Sequence, residues 1–392
     1  MKNILIYGYF NNNFGDDLII AMMAKRIRKD LPNTKLYALD SKINSIRKIS
    51  PNIHISYALE YTVKILSKLM NCVPYQKCKN FLRLLCDKVV AGFIDRNIDY
   101  VFQIGGSMFQ ESAEAAKANR DKTVDEECQN RISDSLTVPR LVIGCNFGPY
   151  TTDYYYNYFS QYFEKCRGVY FRDTDSYEMF HDIASCEYGG DSAFLLCNEW
   201  GEVTPSCEKK CVISVMNFEK KISFDKNREY IDCICKLAES YSASGYKVSL
   251  VSFCNREGDT AVVNKILSST ECDNINALYY NNNLYEVINE FSSASVVIAS
   301  RFHSIILGII FQKKTFVFSY SDKTVNFLKD NNFPEELFCD ITRDGITPYG
   351  TVIERIGSFF YILPKPQYEQ MLQKNVRNTN KMFDNIIKNI CR

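Results

Sequence analysis

Short β-rich runs alternate with longer helical patterns along this chain, and that alternation restricts its fold more than any other feature. Parallel strands cannot be joined by tight turns, and each crossover takes a dozen or more residues, usually a helix. In the first half the strand candidates are residues 4–7, 35–39, 100–104, 140–145 and 169–172, with the clearest helices at 18–30 and 81–94. A loop of polar residues, Gly and Pro at 198–210 precedes a second series. That series has strands at 212–216, 247–253, 296–299 and 315–318, and helices near 228–244, 260–268 and 284–291. The pattern predicts an α/β protein whose two similar halves enclose a cleft, with domains at 1–203 and 204–345. Residues 346–392 form an extension, in which Met371, Val376, Met382, Phe383, Ile386 and Ile387 supply one apolar face of a packing helix.

Several function classes are excluded at this level. Lys and Arg number 47 and Asp and Glu 46, so there is no global basic field of the kind that collects nucleic acid. The first apolar run is too short for a signal peptide or a membrane span, and no later run is long enough to cross a bilayer; a cytoplasmic protein is expected. The sixteen cysteines never form a Cys-x-x-Cys pair, and no histidine stands near Cys207/Cys211 or Cys233/Cys235. Buried free thiols are expected, with no metal site.

The chemistry concentrates where strands hand over to helices. The apolar run 296–299 ends in Ser300-Arg301-Phe302-His303-Ser304, which brings in an arginine and one of only three histidines. The next strand ends in Ser319-Tyr320-Ser321-Asp322-Lys323. Such carboxyl edges favour anions, arginine binds carboxylate or phosphate bidentately, and histidine transfers protons near neutrality. An anion site is expected.

Three further segments follow strands. In Gly8-Tyr9-Phe10-Asn11-Asn12-Asn13-Phe14-Gly15-Asp16-Asp17 the glycines permit backbone geometry closed to other residues and Asp16 is placed to cap the following helix, while three asparagines between aromatics suit a polyhydroxyl ligand. In Gly105-Gly106-Ser107 the paired glycines allow close approach to the backbone. Arg172 either points into the cleft or pairs with Asp173 or Asp191, and Asp173 or Asp175 caps the helix that follows.

In this order, Gly8–Asp17, Gly105-Gly106-Ser107, Arg172-Asp173…Ser176, Asp191-Ser192-Ala193-Phe194, Arg301-Phe302-His303 and Ser319-Tyr320…Lys323 resemble the motifs of the polysaccharide pyruvyl transferase family. The chain departs from them with Ser107 for a third glycine, Asp17 for glutamate and Phe302 for leucine. It also lacks an arginine at Val215-Met216-Asn217, for which Arg256 or Lys220 are the substitutes in view.

The resemblance implies two Rossmann-like domains in a GT-B-like arrangement, with acceptor on the first and donor on the second. The implied donor is phosphoenolpyruvate, a co-substrate rather than a cofactor, and the acceptor is a sugar of a surface polysaccharide or its lipid-linked precursor. Arg301 and His303 carry the expected catalysis. Arg301, Lys323, Ser304, Ser300 and Arg172 are the expected donor-binding residues, and Asn11, Asn13, Asp16, Asp17, Gly105, Gly106 and Ser107 the acceptor-binding ones. A lipid-linked acceptor would bring the protein to the inner face of the cytoplasmic membrane. Two alternatives remain open: a nucleotide-sugar glycosyltransferase of the same architecture, and a non-catalytic glycan-binding or assembly protein.

Overall fold

Strand pairing is parallel throughout the described residues, which are 1–8, 12–38, 53–55, 65, 68, 76–111, 136–199, 209–358 and 365–391 of a computed structural model. The first sheet is made of β1 (Lys2–Gly8), β2 (Thr34–Ala38), β3 (Ile53–Ile55), β4 (Tyr100–Ile104), β5 (Arg140–Cys145), β6 (Gly168–Phe171) and β7 (Cys186–Tyr188). The second is made of β8 (Lys210–Val215), β9 (Lys247–Ser252), β10 (Ile275–Tyr279), β11 (Val296–Ala299), β12 (Lys314–Ser319) and β13 (Phe338–Asp340). Their orders are β3-β2-β1-β4-β5-β6-β7 and β10-β9-β8-β11-β12-β13. Both begin as a dinucleotide-binding fold does, with the first strand of the series beside the fourth, so each sheet has a switch point there.

The chain divides into two compact units, one of Met1–Phe10, Met23–Asp191 and Asn380–Arg392, the other of Asn11–Met22 and Ser192–Thr379. The short segment around the start of the first helix thus belongs with the second sheet. Asn11 and residues 200–208, most of the expected linker, lie outside the described residues.

Central strands such as β5 and β11 are buried along their whole length, which is why they read as unbroken apolar runs. In the first unit, the helix Asp153–Glu164 packs Tyr155, Phe159, Tyr162 and Phe163 onto Phe109, Phe147, Phe171 and Phe180. In the second unit, the helix Phe224–Ala243 sets Tyr230, Ile234 and Leu237 against β8 and β9 residues Ile213, Val215 and Leu250. The final helix, Lys365–Cys391, buries Met371, Asn375, Thr379, Met382, Phe383, Ile386 and Ile390. No helix among the described residues is long and apolar enough to cross a membrane.

Candidate functional site

The switch point of the second sheet lies between β8 and β11, and the chain leaves β11 through Ser300 and Arg301 into the helix Phe302–Ile310. A serine network locks that exit. Ser214 Oγ on β8 accepts the backbone N–H groups of Ser300 and Arg301 at 2.9 and 3.2 Å. It lies 2.7 Å from Ser304 Oγ, which in turn donates to the Arg301 carbonyl. Because Ser304 spends its proton there, Ser214 is the donor between the two hydroxyls. Ser300 Oγ lies 2.8 Å from Tyr230 OH, which also accepts the Met216 N–H at 3.3 Å. Ser300 and Ser304, expected beside a donor, are buried at 2% and 0% exposure and shape the strand end from inside.

Arg301 occupies the N-cap position with extended backbone and no side-chain cap, so its guanidinium is free to reach sideways. Nε donates to Asp259 Oδ2 at 2.9 Å, Nη2 donates to Asp259 Oδ1, and Nη1 donates to Glu257 Oε2 at 2.6 Å. Asp259 is fully buried and also accepts the backbone N–H groups of Asn217 and Cys254. The turn that delivers it requires Gly258, whose φ is +90° and whose Cβ would lie 2.4 Å from Asn217 Nδ2. Burial works against the charge of Arg301, but Asp259 and Glu257 outweigh it and hold its pKa above the ordinary value.

Glu257 is the opposite kind of partner, with 40% of its side chain exposed. Burial pushes its carboxyl up, yet Arg301 outweighs this, Lys221 and Lys323 add to the effect, and its pKa lies below the usual carboxylate range. Lys323 Nζ lies 5.7 Å from the Phe302 ring centroid, and the His303 ring packs edge-on against the same phenyl group at 5.5 Å. Lys221 Nζ sits 4.5 Å from the Tyr320 ring centroid, and desolvation draws its pKa down while Glu257 opposes the shift. Lys221 thus stands near enough to Arg301 and Glu257 to feel both charges, a cation that the sequence reading, which named Arg256 or Lys220, did not single out.

Residues 12–17 complete this face of the second unit. Gly15 has no left-handed backbone, contrary to the conformational reason expected for it. Its need is space, since a Cβ there would meet His303 Nδ1 at 2.0 Å. Gly8 is explained in the same way, by the Ile104 carbonyl at 2.5 Å. Asn13, rather than Asp16, caps the helix Phe14–Asp30: its Oδ1 accepts the Gly15 N–H at 3.0 Å, and its Nδ2 faces Glu257 Oε1 at 3.4 Å. Asp16 sits in the first helical turn. Asp17 is buried at 2% exposure and accepts Tyr280 OH at 2.6 Å. Burial raises its pKa to about 6, against the opposing effect of that hydroxyl. An acceptor-facing role expected for Asp17 gives way to an interior one.

The expected residues of the first unit form a different cluster. Arg172 Nη1 donates to Asp191 Oδ2 at 3.0 Å and Nη2 to Asn146 Oδ1 at 2.8 Å, with side-chain exposures of only 4% and 1% for the ion pair. Of the two readings of Arg172, the ion pair with Asp191 is the one formed. Gly106 is where this guanidinium lies flat, a Cβ there falling 2.6 Å from Nη1, and Ser107 Oγ donates to Asn146 Oδ1 at 3.0 Å. Gly105 faces Met108 in the same way. Asp173 caps the helix Thr174–Phe180 through Ser176.

Glu257, Asp259, Lys221, Ser214 and Tyr280 escaped the sequence reading. The run Arg256-Glu257-Gly258-Asp259 does carry a signal, being a charged strand end after β9. No group of three or more His, Cys, Asp or Glu that could hold a metal occurs among the described residues. Twelve cysteines, among them the buried Cys145, Cys211 and Cys254, are free thiols.

This architecture is that of the GT-B glycosyltransferases and epimerases. The fold resembles MnaA of S. aureus, solved with UDP, at a TM-score of 0.58 and 13% identity over 97% of this chain and 92% of that one. It resembles a putative UDP-N-acetylglucosamine 2-epimerase from Listeria monocytogenes at 0.55 and 12%, over 98% and 95% of the two chains. The UDP-GlcNAc 2-epimerase of Methanocaldococcus jannaschii follows at 0.51 and 9%, over 94% of each. Among curated proteins there is no significant match. Within that class the sequence is specific: the family model for polysaccharide pyruvyl transferase matches residues 13–322. The chain belongs to the polysaccharide pyruvyl transferase family, and is an enzyme of that type.

Proposed function

We propose that this protein transfers the pyruvyl group of phosphoenolpyruvate to a sugar of a surface polysaccharide or its lipid-linked precursor, forming a pyruvate ketal and releasing phosphate. The observation that carries this reading is the gathering of Arg301, His303 and Lys323 at one strand edge, with His303 and Lys323 both against the Phe302 ring at 5.5 and 5.7 Å. Phosphoenolpyruvate carries a phosphate and a carboxylate on a masked enol, so its site needs cations for both and a proton source for the methylene carbon.

In this scheme Arg301 and Lys323 bind the two anionic groups and His303 delivers a proton to the methylene carbon. The adjacent carbon becomes electrophilic and one sugar hydroxyl bonds to it. Its bond to the phosphate oxygen breaks, with the electron pair leaving on phosphate, and a second hydroxyl of the sugar closes the ketal. Of the two hydroxyl protons released, one restores the imidazolium and the other leaves with phosphate. Donor binding by these cations requires no metal. We assign the acceptor to the first unit, where Gly105 and Gly106 follow β4 at that sheet's switch point. A lipid-linked acceptor would place the work at the inner face of the cytoplasmic membrane.

The test is to incubate the protein with phosphoenolpyruvate and sugar acceptors and to follow free phosphate together with the acceptor's mass. A gain of one pyruvate ketal is expected, and His303→Ala should lower turnover by about 10²–10⁴-fold with smaller effects on donor binding. Near-full turnover in that variant would sink the proton-donor role. Release of nucleoside diphosphate from nucleotide sugars would indicate a glycosyltransferase, and glycan binding without turnover of either donor would indicate a binding protein.

A further inference from the structure

Glu257 poses an electrostatic question that the proposed chemistry leaves open. Arg301 already has a matched counter-ion, because Asp259 takes both Nε and Nη2 from a fully buried position. A second carboxylate on Nη1, at 2.6 Å, is therefore more than this guanidinium needs. The groups that account for it are Lys221 and Lys323, whose charges both stabilise the Glu257 anion. Arg301, Lys221 and Lys323 thus all act on Glu257, and of the two carboxylates on Arg301 Asp259 is fully buried while Glu257 is 40% exposed.

Lys221 and Lys323 also have partners in the scaffold itself. Lys221 closes a turn through its N–H to the Phe218 carbonyl at 2.8 Å, and its ammonium lies over Tyr320. Tyr320 packs on Phe218, Phe218 on Tyr230, and Tyr230 reaches Ser300 at the end of β11. Lys323 is held over Phe302, the residue after Arg301. Removing Glu257 from their midst would leave a prepared vacancy for an anion. By contrast Glu257 sits on a three-residue helical turn, Asn255–Glu257, with 40% of its side chain exposed, and besides Arg301 it meets only a long contact from Asn13 Nδ2 at 3.4 Å among the hydrogen bonds described.

We propose that Lys221 joins Arg301 and Lys323 in holding an anionic group of the donor, and that Glu257 is a resident carboxylate which occupies this place in the empty protein and is displaced when the donor binds. The inference rests on the donor assignment above and adds to it a residue that binds and a residue that competes. A competing carboxylate keeps free phosphate and small carboxylates from filling the site, since only a ligand engaging several cations at once repays its displacement. Glu257 therefore sets specificity by exclusion.

The experiment is calorimetric titration of the full-length protein with phosphoenolpyruvate and, separately, with inorganic phosphate. Glu257→Gln should tighten phosphoenolpyruvate binding by about 5–30-fold and phosphate binding by more, and Lys221→Met should weaken both by about 3–10-fold. Glu257→Asp keeps the charge but shortens its reach, and should tighten binding by a smaller factor; it carries the test if Glu257→Gln does not fold. Unchanged or weaker binding in the folded Glu257 variants, or wild-type affinity in Lys221→Met, would overturn the proposal. The two readings fail differently. If the variants shift phosphate affinity as expected but no protein binds phosphoenolpyruvate, the exchange stands and the donor assignment falls. If all bind phosphoenolpyruvate equally, the donor stands and the exchange falls.

Discussion

Arg172 and Arg301 stand in the same local setting, each just beyond a parallel strand and each buried against an aspartate, yet their further partners differ. Arg172 follows β6, next to the edge of its sheet, and its contacts lead inward to Asp191, Asn146 and the bare backbone of Gly106. Arg301 follows β11 at the switch point and reaches past its buried aspartate to a half-exposed glutamate. Burial of a guanidinium therefore says little about function. The exposure of its second partner and its place in the strand order say more.

The strongest way to break this contrast is Arg172→Met. It strands the Asp191 carboxylate, whose side chain is 1% exposed, and should cost about 3–5 kcal/mol in urea unfolding. Turnover per folded molecule should hold; a loss beyond the folded fraction would mean that Arg172 touches substrate. A next, slightly smaller effect comes from a buried carboxylate that has a tyrosine in place of an arginine. The pKa of Asp17 is raised to about 6, so the folded protein holds a proton there that the unfolded chain releases near pH 4. Its contribution is fully present below about pH 4 and is lost as pH rises through about 6, a swing of about 3 kcal/mol. Asp17→Asn keeps an acceptor for Tyr280 and should abolish that swing. The measurement is the difference in unfolding free energy between wild type and variant from pH 4 to 7.5, and a flat difference would refute it.

The smallest expected change is in placement rather than charge. Gly15→Ala drives a methyl into His303, since the Cβ would stand 2.0 Å from Nδ1, and the imidazole must shift. On the proposed assignment kcat should fall about 10–10²-fold while the unfolding midpoint moves little. Unaltered kcat would show that the imidazole position is not critical.

What could be read from the sequence follows the same division between inside and edge. The central strands were found because burial on both faces leaves a continuous apolar run. The four strands that escaped, β3, β7, β10 and β13, are the four edges of the two sheets. They are short or half-exposed, as in Ile275–Tyr279 where only Ile275 is buried, and carry no such run. Arg301, His303 and Lys323 stood out because strand ends carry chemistry in this fold. Their carboxylate partners did not, because Glu257 and Asp259 meet Arg301 across more than forty residues of chain, and only the order β9-β8-β11 brings those strand ends together. Likewise Gly15 was noticed for its flexibility, whereas the need for it lies in a ring from a distant helix.

The helix Phe302–Ile310 is fastened at both ends. Ser214 grips its start, while the buried hydroxyl of Tyr368, far along the chain, is directed at 3.1 Å to the carbonyls of Gly308 in its last turn and Lys313 just beyond it. Gly308 also presses so near β12 that a Cβ would sit 2.5 Å from Thr315 Oγ1. A girder clamped in this way is tied to β8 at its start and to the final helix near its end. The final helix of the chain, remote from Arg301 and His303 in sequence, is thus one of the bolts that seat the segment carrying them, and on the proposed assignment a change at Tyr368 would be felt at the reacting groups.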